Sequence, residues 1–252
     1  MMEFMGLQLG LKSLTFYASM ALYAMSLIYA LVLVMMMSPM GGIKQRMRGG
    51  DRLLKRKPSS YSMDDLLELS ATADAYEMAQ EPYTAQYMAD LCAQIAEQYE
   101  LSEEDRDSLR IAALLHDLGQ VEHCDFIQEE RALRPEEWQE LEQHPLTGYQ
   151  MLLEMGPEYA NAAKWVRWSH ERWDGTGYPD GLAGDQIPIP ARILTVVDAY
   201  CAMMSDRPHR PALSQEAVIA ELQRNAGVRF DPQMVQLFGA EELSSSTALE
   251  VI

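Results

Sequence analysis

The chain has 252 residues, and a hydrophobic content of 48% supports one cored domain with appendages. A formal net charge of −18 argues against a nucleic-acid polymer as partner. Three cysteines, Cys92, Cys124 and Cys201, contain no CxxC pair, which argues against a disulfide framework or a thiolate zinc site and fits a reducing compartment.

In chain order, the first feature is an uncharged stretch between Lys12 and Lys44. Its core, Leu14 to Met37, is apolar almost throughout and exceeds the roughly 20 residues a helix needs to cross a bilayer. We expect a transmembrane helix over 14–37 after an N-terminal tail, 1–13. A cleaved signal peptide would need a basic start and an apolar run of only about 7–15 residues. Lys44, Arg46, Arg48, Arg52, Lys55, Arg56 and Lys57 follow the span against Lys12 alone before it. The positive-inside rule then places the C-terminal portion in the cytoplasm, on a single-pass anchor in the cytoplasmic (inner) membrane. The basic juxtamembrane linker, 38–61, also suits anionic headgroups, although a topology signal is the simpler reading. Beyond Lys57 the balance inverts to 12 Lys and Arg against 36 Asp and Glu. A phosphate ligand approaching that body needs local cations or metal.

The remainder reads as helical. Thr84 opens a segment with Leu91, Cys92, Ile95, Ala96 and Tyr99 on one face. Ser102 and Asp105 form a loose capping box for a helix running to a stop at Gly119. Pro135 and Pro145 mark two more starts, the second helix ending at Gly156-Pro157, and 158–168 is helix-like. Glu171 to Pro190, with four glycines and three prolines, is a long ordered loop of the kind that carries function. Pro190 begins a helix with Ile193, Val196, Val197, Tyr200 and Met204 as an apolar stripe. Ser214 caps the next, which Gly227 ends, and Asp231-Pro232 starts a short last one. No strand alternation stands out, so the fold class expected is all-α: a helical bundle over 62–240 with a C-terminal tail, 241–252.

The chemistry lies at the helix ends. Ala112-Ala-Leu-Leu-His116-Asp117-Leu-Gly119 sets an imidazole beside a carboxylate at the end of an apolar helix, where a capped or salt-bridged end is the commoner explanation. An unpaired buried carboxylate is costly, and a divalent metal relieves that cost. His144 stands at a helix start, His170 opens the glycine-rich loop, and Asp198 lies within Val196-Val-Asp-Ala-Tyr200.

These pieces, in this order over about residues 80–238, resemble the HD-GYP domain family, the metal-dependent phosphodiesterases that open cyclic-di-GMP. His170-Glu-Arg-Trp-Asp-Gly-Thr-Gly-Tyr-Pro-Asp-Gly-Leu182 is nearly the family signature, and Ile187-Pro-Ile-Pro-Ala-Arg-Ile-Leu, Ser205-Asp-Arg-Pro and Phe230-Asp-Pro also match. The resemblance implies an HD-type helical bundle with one or two divalent ions, Fe or Mn among the options. Its implied ligands are His116, Asp117 (bridging two metals), His144, His170 and Asp198. It also implies that Tyr178, Arg207 and Arg210 contact the nucleotide and its phosphates. Further expected partners are the membrane and a second copy or another signalling protein.

Departures from the pattern are equally specific. Tyr87 stands where the family has its first histidine ligand, Ser169 replaces one of a histidine pair, and Gln120 replaces a lysine. Cys201 stands in place of a second aspartate, His123 falls in a loop position that is usually apolar, and His209 replaces a common tyrosine. A phenol must lose a proton with a pKa of about 10 before it ligates well. Two readings therefore stand side by side: a phosphodiesterase of reduced activity yielding pGpG or GMP, and a degenerate domain acting as nucleotide receptor or interaction module. A third is a phosphohydrolase for another nucleotide.

Overall fold

The computed structural model describes residues 53, 60–77, 84–123, 125–128, 131–206 and 211–238. The expected span 14–37, its basic flank, the tail 241–252 and the candidate phosphate ligands Arg207 and Arg210 lie outside the described residues. Among the described residues no helix is long and apolar enough to cross a membrane.

The described part is a helical bundle: α1 (Met63–Glu77), α2 (Ala85–Gln98), α3 (Glu103–Leu115), α4 (Gln120–His123), α5 (Pro135–Leu141), α6 (His144–Met155), α7 (Ala160–Arg167), α8 (Ile189–Met204) and α9 (Gln215–Arg224). A last helix, α10, covers 232–238. Among the described residues there are isolated β-bridges and no strand.

Local rules account for most starts. Ser102 Oγ accepts a hydrogen bond from the Asp105 amide, and Ser214 Oγ accepts one from the Ala217 amide, each satisfying one of the orphan donors at a helix N-terminus. Proline sits in the first turn of α5, α6 and α8, where its missing N–H costs nothing. On α2, Met88, Leu91, Cys92, Ile95 and Ala96 are buried at helical spacing, and this face packs on α3 and α8.

Three expectations need correction. The helix starting at Pro190 is not striped: every residue from Pro190 to Val197 is buried, because α8 is the central helix, touching α2, α3, α7 and α9. The Ser102 helix ends at Leu115 rather than at Gly119, and residues 116–119 turn directly into α4, so that His123 falls in a helical turn and not a loop. The Ser214 helix ends at Arg224. Asn225 caps it with its side-chain amide on Glu221 O at 2.9 Å, and Gly227, at φ +80°, serves the following turn.

One buried ion pair ties the C-terminal elements to the centre. Arg192 on α8 donates from Nε to Ile187 O at 2.6 Å and from Nη1 to Asp231 Oδ2 at 3.1 Å. Asp231 Oδ1 in turn accepts the Gln233 amide at the start of α10. The Ile187-to-Leu194 and Phe230-Asp-Pro segments are thus the two halves of one structural contact. Removing one partner of a buried pair strands the other. Asp231→Asn is expected to lower unfolding stability by about 3 kcal/mol, measured by urea denaturation of the full chain.

Candidate metal centre

The turn after α3 carries His116 and Asp117, α6 begins with His144, His170 follows the end of α7, and Asp198 lies in the middle of α8. Four separate chain segments thus bring five side chains together. His116 Nδ1 lies 2.9 Å from Ala113 O and His144 Nδ1 lies 2.6 Å from Leu141 O. A carbonyl only accepts, so each Nδ1 carries the hydrogen and each Nε2 presents its lone pair inward. His116 Nε2 is 3.0 Å from Asp117 Oδ2 and 3.8 Å from Asp198 Oδ1. His144 Nε2 is 3.4 Å from Asp117 Oδ1 and 3.1 Å from His170 Nε2. Lone pairs and carboxylate oxygens facing one another at these distances require a proton or a cation between them.

The electrostatics favour ligand-competent forms. Burial alone would raise the Asp117 carboxyl, but the surrounding histidines, His116 first, hold it well below the usual carboxylate range whenever they carry a proton. Burial lowers His144 and lowers His170 further, where the neighbouring His144 adds to the effect, so both imidazoles favour the neutral form that binds metal. Among the described residues no group of three or more His, Cys, Asp or Glu side chains is already arranged to hold an ion. The donors instead pair with one another, and a buried carboxylate with neutral inward-facing imidazoles fits a divalent cation by donor chemistry.

Glycine permits the approach of the turn after α3 to α6. A Cβ at Gly119 would lie 2.1 Å from His144 O and 2.6 Å from Gly148 N, both backbone atoms that cannot swing aside. The same holds in the signature loop, where a Cβ at Gly177 would lie 2.4 Å from Arg172 N and 2.6 Å from His170 O. Tyr178 then stacks on the His170 ring with centroids 5.2 Å apart and planes 10° from parallel. Its hydroxyl is pushed up, first by burial and then by Glu142, Asp198 and Asp117, and so stays protonated as a donor.

Reading the sequence alone missed Glu171. Its carboxylate is buried and accepts the backbone amides of Asp180 at 2.7 Å, Gly181 at 3.1 Å and Leu182 at 3.0 Å, folding the end of the loop back beside His170. The signal was its place between a ligand histidine and a glycine-rich loop whose amides need an acceptor. Cys92, expected on the apolar face of its helix, is buried there, and burial, then the charge of Asp198, pushes its thiol up, which keeps it neutral. Of the departures, Ser169 is buried with Oγ donating to Val166 O at 2.9 Å, Gln120 donates to Asp117 Oδ1 at 2.7 Å, and Tyr87 packs half-buried against the core.

Two substitutions test this construction. Gly119→Ala should push the turn after α3 away from α6, cost about 1–3 kcal/mol of stability and weaken divalent-ion binding, read by thermal unfolding with and without Mn²⁺. Glu171→Gln turns one acceptor into a donor facing backbone amides; a loss of about 1–3 kcal/mol is expected, with faster amide exchange at Asp180, Gly181 and Leu182.

The family described as HD domain matches residues 61–234. The chain is 36% identical over 150 residues to the cyclic di-GMP phosphodiesterase response regulator RpfG of Xanthomonas campestris pv. campestris, covering 59% of this chain and 40% of that protein. It is 34% identical over 159 residues to the 3′3′-cGAMP-specific phosphodiesterase 3 of Vibrio cholerae, covering 62% and 34%. A cyclic di-GMP phosphodiesterase of Thermotoga maritima is 34% identical over 156 residues, covering 59% and 41%. The chain therefore spans well under half the length of each of these relatives. Among solved structures, a cyclic GMP-AMP specific phosphodiesterase of V. cholerae (V-cGAP3) superposes with a TM-score of 0.57 at 22% identity, over 71% of this chain and 48% of that one. Bd1817, an HDG"Y"P protein of Bdellovibrio bacteriovorus, gives 0.53 at 14% identity, over 79% and 69%. At these identities the superpositions speak for the fold alone. With most of its length matched by the family, and with the signature running from His170 to Leu182, the chain belongs to the HD domain family, in its HD-GYP branch.

Proposed function

We propose that the chain is a metal-dependent phosphodiesterase that opens a cyclic dinucleotide of the cyclic-di-GMP class to its linear product, pGpG or GMP. The observation that carries this reading is the convergence of His116, Asp117, His144, His170 and Asp198 from four segments around one buried carboxylate. These side chains would hold one or two divalent ions, Fe or Mn. Such an ion supplies charge neutralisation at the phosphoryl group and lowers the pKa of water. Tyr178, stacked on His170 and protonated, would donate a hydrogen bond to the ligand. Arg207 and Arg210 would offer charge-assisted contacts to its phosphates. The relatives whose names specify cyclic di-GMP or 3′3′-cGAMP support a cyclic dinucleotide as substrate class.

The proposal extends to location and rate. Residues 14–37 would anchor the chain in the cytoplasmic membrane, with the helical domain in the cytoplasm, on the strength of the apolar run and the basic flank that follows it. Turnover would be reduced, since Tyr87, Ser169 and Gln120 replace groups with better ligand or charge properties. A second reading, a nucleotide receptor or interaction module without turnover, is favoured by one observation: the Ser169 hydroxyl is spent on Val166 O.

The test is hydrolysis of cyclic-di-GMP and 3′3′-cGAMP by the purified full chain loaded with Mn²⁺ or Fe²⁺. Slow turnover that falls at least about 10²-fold in Asp117→Asn is expected. Binding without turnover would move the assignment to the receptor reading, and neither binding nor turnover would overturn both.

A further inference from the structure

Gln120 stands where the branch carries a lysine, and on sequence alone it is only a lost charge. Its position in the fold gives it a different part. The residue is buried at the first position of α4, and its side-chain Nε2 donates to Asp117 Oδ1 at 2.7 Å. Its backbone amide donates to Asp117 O at 3.0 Å, so side chain and main chain both grip the same residue. Gly119, pressed against His144 O, fixes where α4 begins and therefore where this amide points.

The two oxygens of Asp117 face different partners. Oδ2 lies 3.0 Å from His116 Nε2, on the side of Asp198, whereas Oδ1 lies 3.4 Å from His144 Nε2, on the side of His170. A carboxylate free to rotate would present either oxygen to either side. A donor on Oδ1 stops that rotation, and a carboxylate oxygen has a second lone pair left for the His144 side. We propose that Gln120 is a positioning residue that holds Asp117 Oδ1 toward His144 and His170 and so sets how tightly the site takes a divalent ion.

This inference rests on the metal-centre reading above. Hydrogen-bond partners of ligating carboxylates typically contribute 10–100-fold to metal affinity when intact. The amide also leaves the charge of Asp117 undiminished, which a lysine ammonium in the same place would not.

The experiment is equilibrium titration of Mn²⁺ into the full chain, stripped with chelator and kept in detergent, with thermal unfolding of the same samples without metal. Gln120→Met keeps the shape and removes the donor, and its affinity should fall about 10–100-fold while it unfolds near the wild-type temperature. Gln120→Ala carries the same expectation should the methionine variant not fold. Gln120→Lys retains an N–H donor and should bind more tightly than either. Unchanged affinity in the donor-less variants overturns the proposal. Tighter binding in them does so too, since the amide would then be competing with the ion for Oδ1. Asp117→Asn separates the two levels of the argument: if it binds Mn²⁺ as the wild type does, the metal centre itself is wrong, whatever Gln120 does.

Discussion

Asp117 places a carboxylate in the interior of a helical bundle, where an isolated charge is costly by several kcal/mol. The rest of the site can be understood as the set of groups that make this charge tolerable. His116 and His144 turn their Nε2 atoms toward it because each ring's Nδ1 is tied to a carbonyl in the preceding turn. His170 closes the arrangement through His144 rather than through the carboxylate directly. His144 also depends on a close backbone approach at Gly119, where an added side chain would collide with His144 O and Gly148 N.

The scaffold solves this placement with polar contacts away from the centre. The pair Arg192–Asp231 anchors α10 to the central helix, and Glu171 gathers three backbone amides of the signature loop. Thr195 adds a hydroxyl bond to Ser169 O, linking α8 to the segment that carries His170. Burying ionised groups for this purpose adds little net stability. What they contribute is a loop whose return path is determined, so that Tyr178 lies flat on His170 instead of sampling solvent.

The departures from the branch pattern then differ in kind. Ser169 has been absorbed into backbone hydrogen bonding, where a small hydroxyl suits the space and offers no ligand. Gln120 has been absorbed into the centre itself, as a partner of the carboxylate. Replacement by a residue with poorer metal chemistry is not uniformly a loss, because the same position has a structural neighbour to satisfy.

Much of this was legible in the chain itself. Helical spacing on α2, the Ser102 and Ser214 caps and the proline starts are local devices, set by residues within one or two turns, and the structure follows them. The five candidate ligands could be named only through the family resemblance, since an HD pair alone is a weak signal; that their side chains meet is a fact of the fold. Tertiary structure alone decided how α8 sits. A helix at the centre of a bundle is buried on every side, and its sequence cannot distinguish that from a broad stripe. Where α9 stops is again a local matter, set by the Asn225 cap on Glu221 O four residues back, which Gly227 only follows. Glu171 looked like an ordinary charged residue of the loop, and Arg192 and Asp231 stood out only as members of matching segments. Their roles come from backbone amides and partners nine to thirty-nine residues away, a separation at which no local pattern of residues carries information.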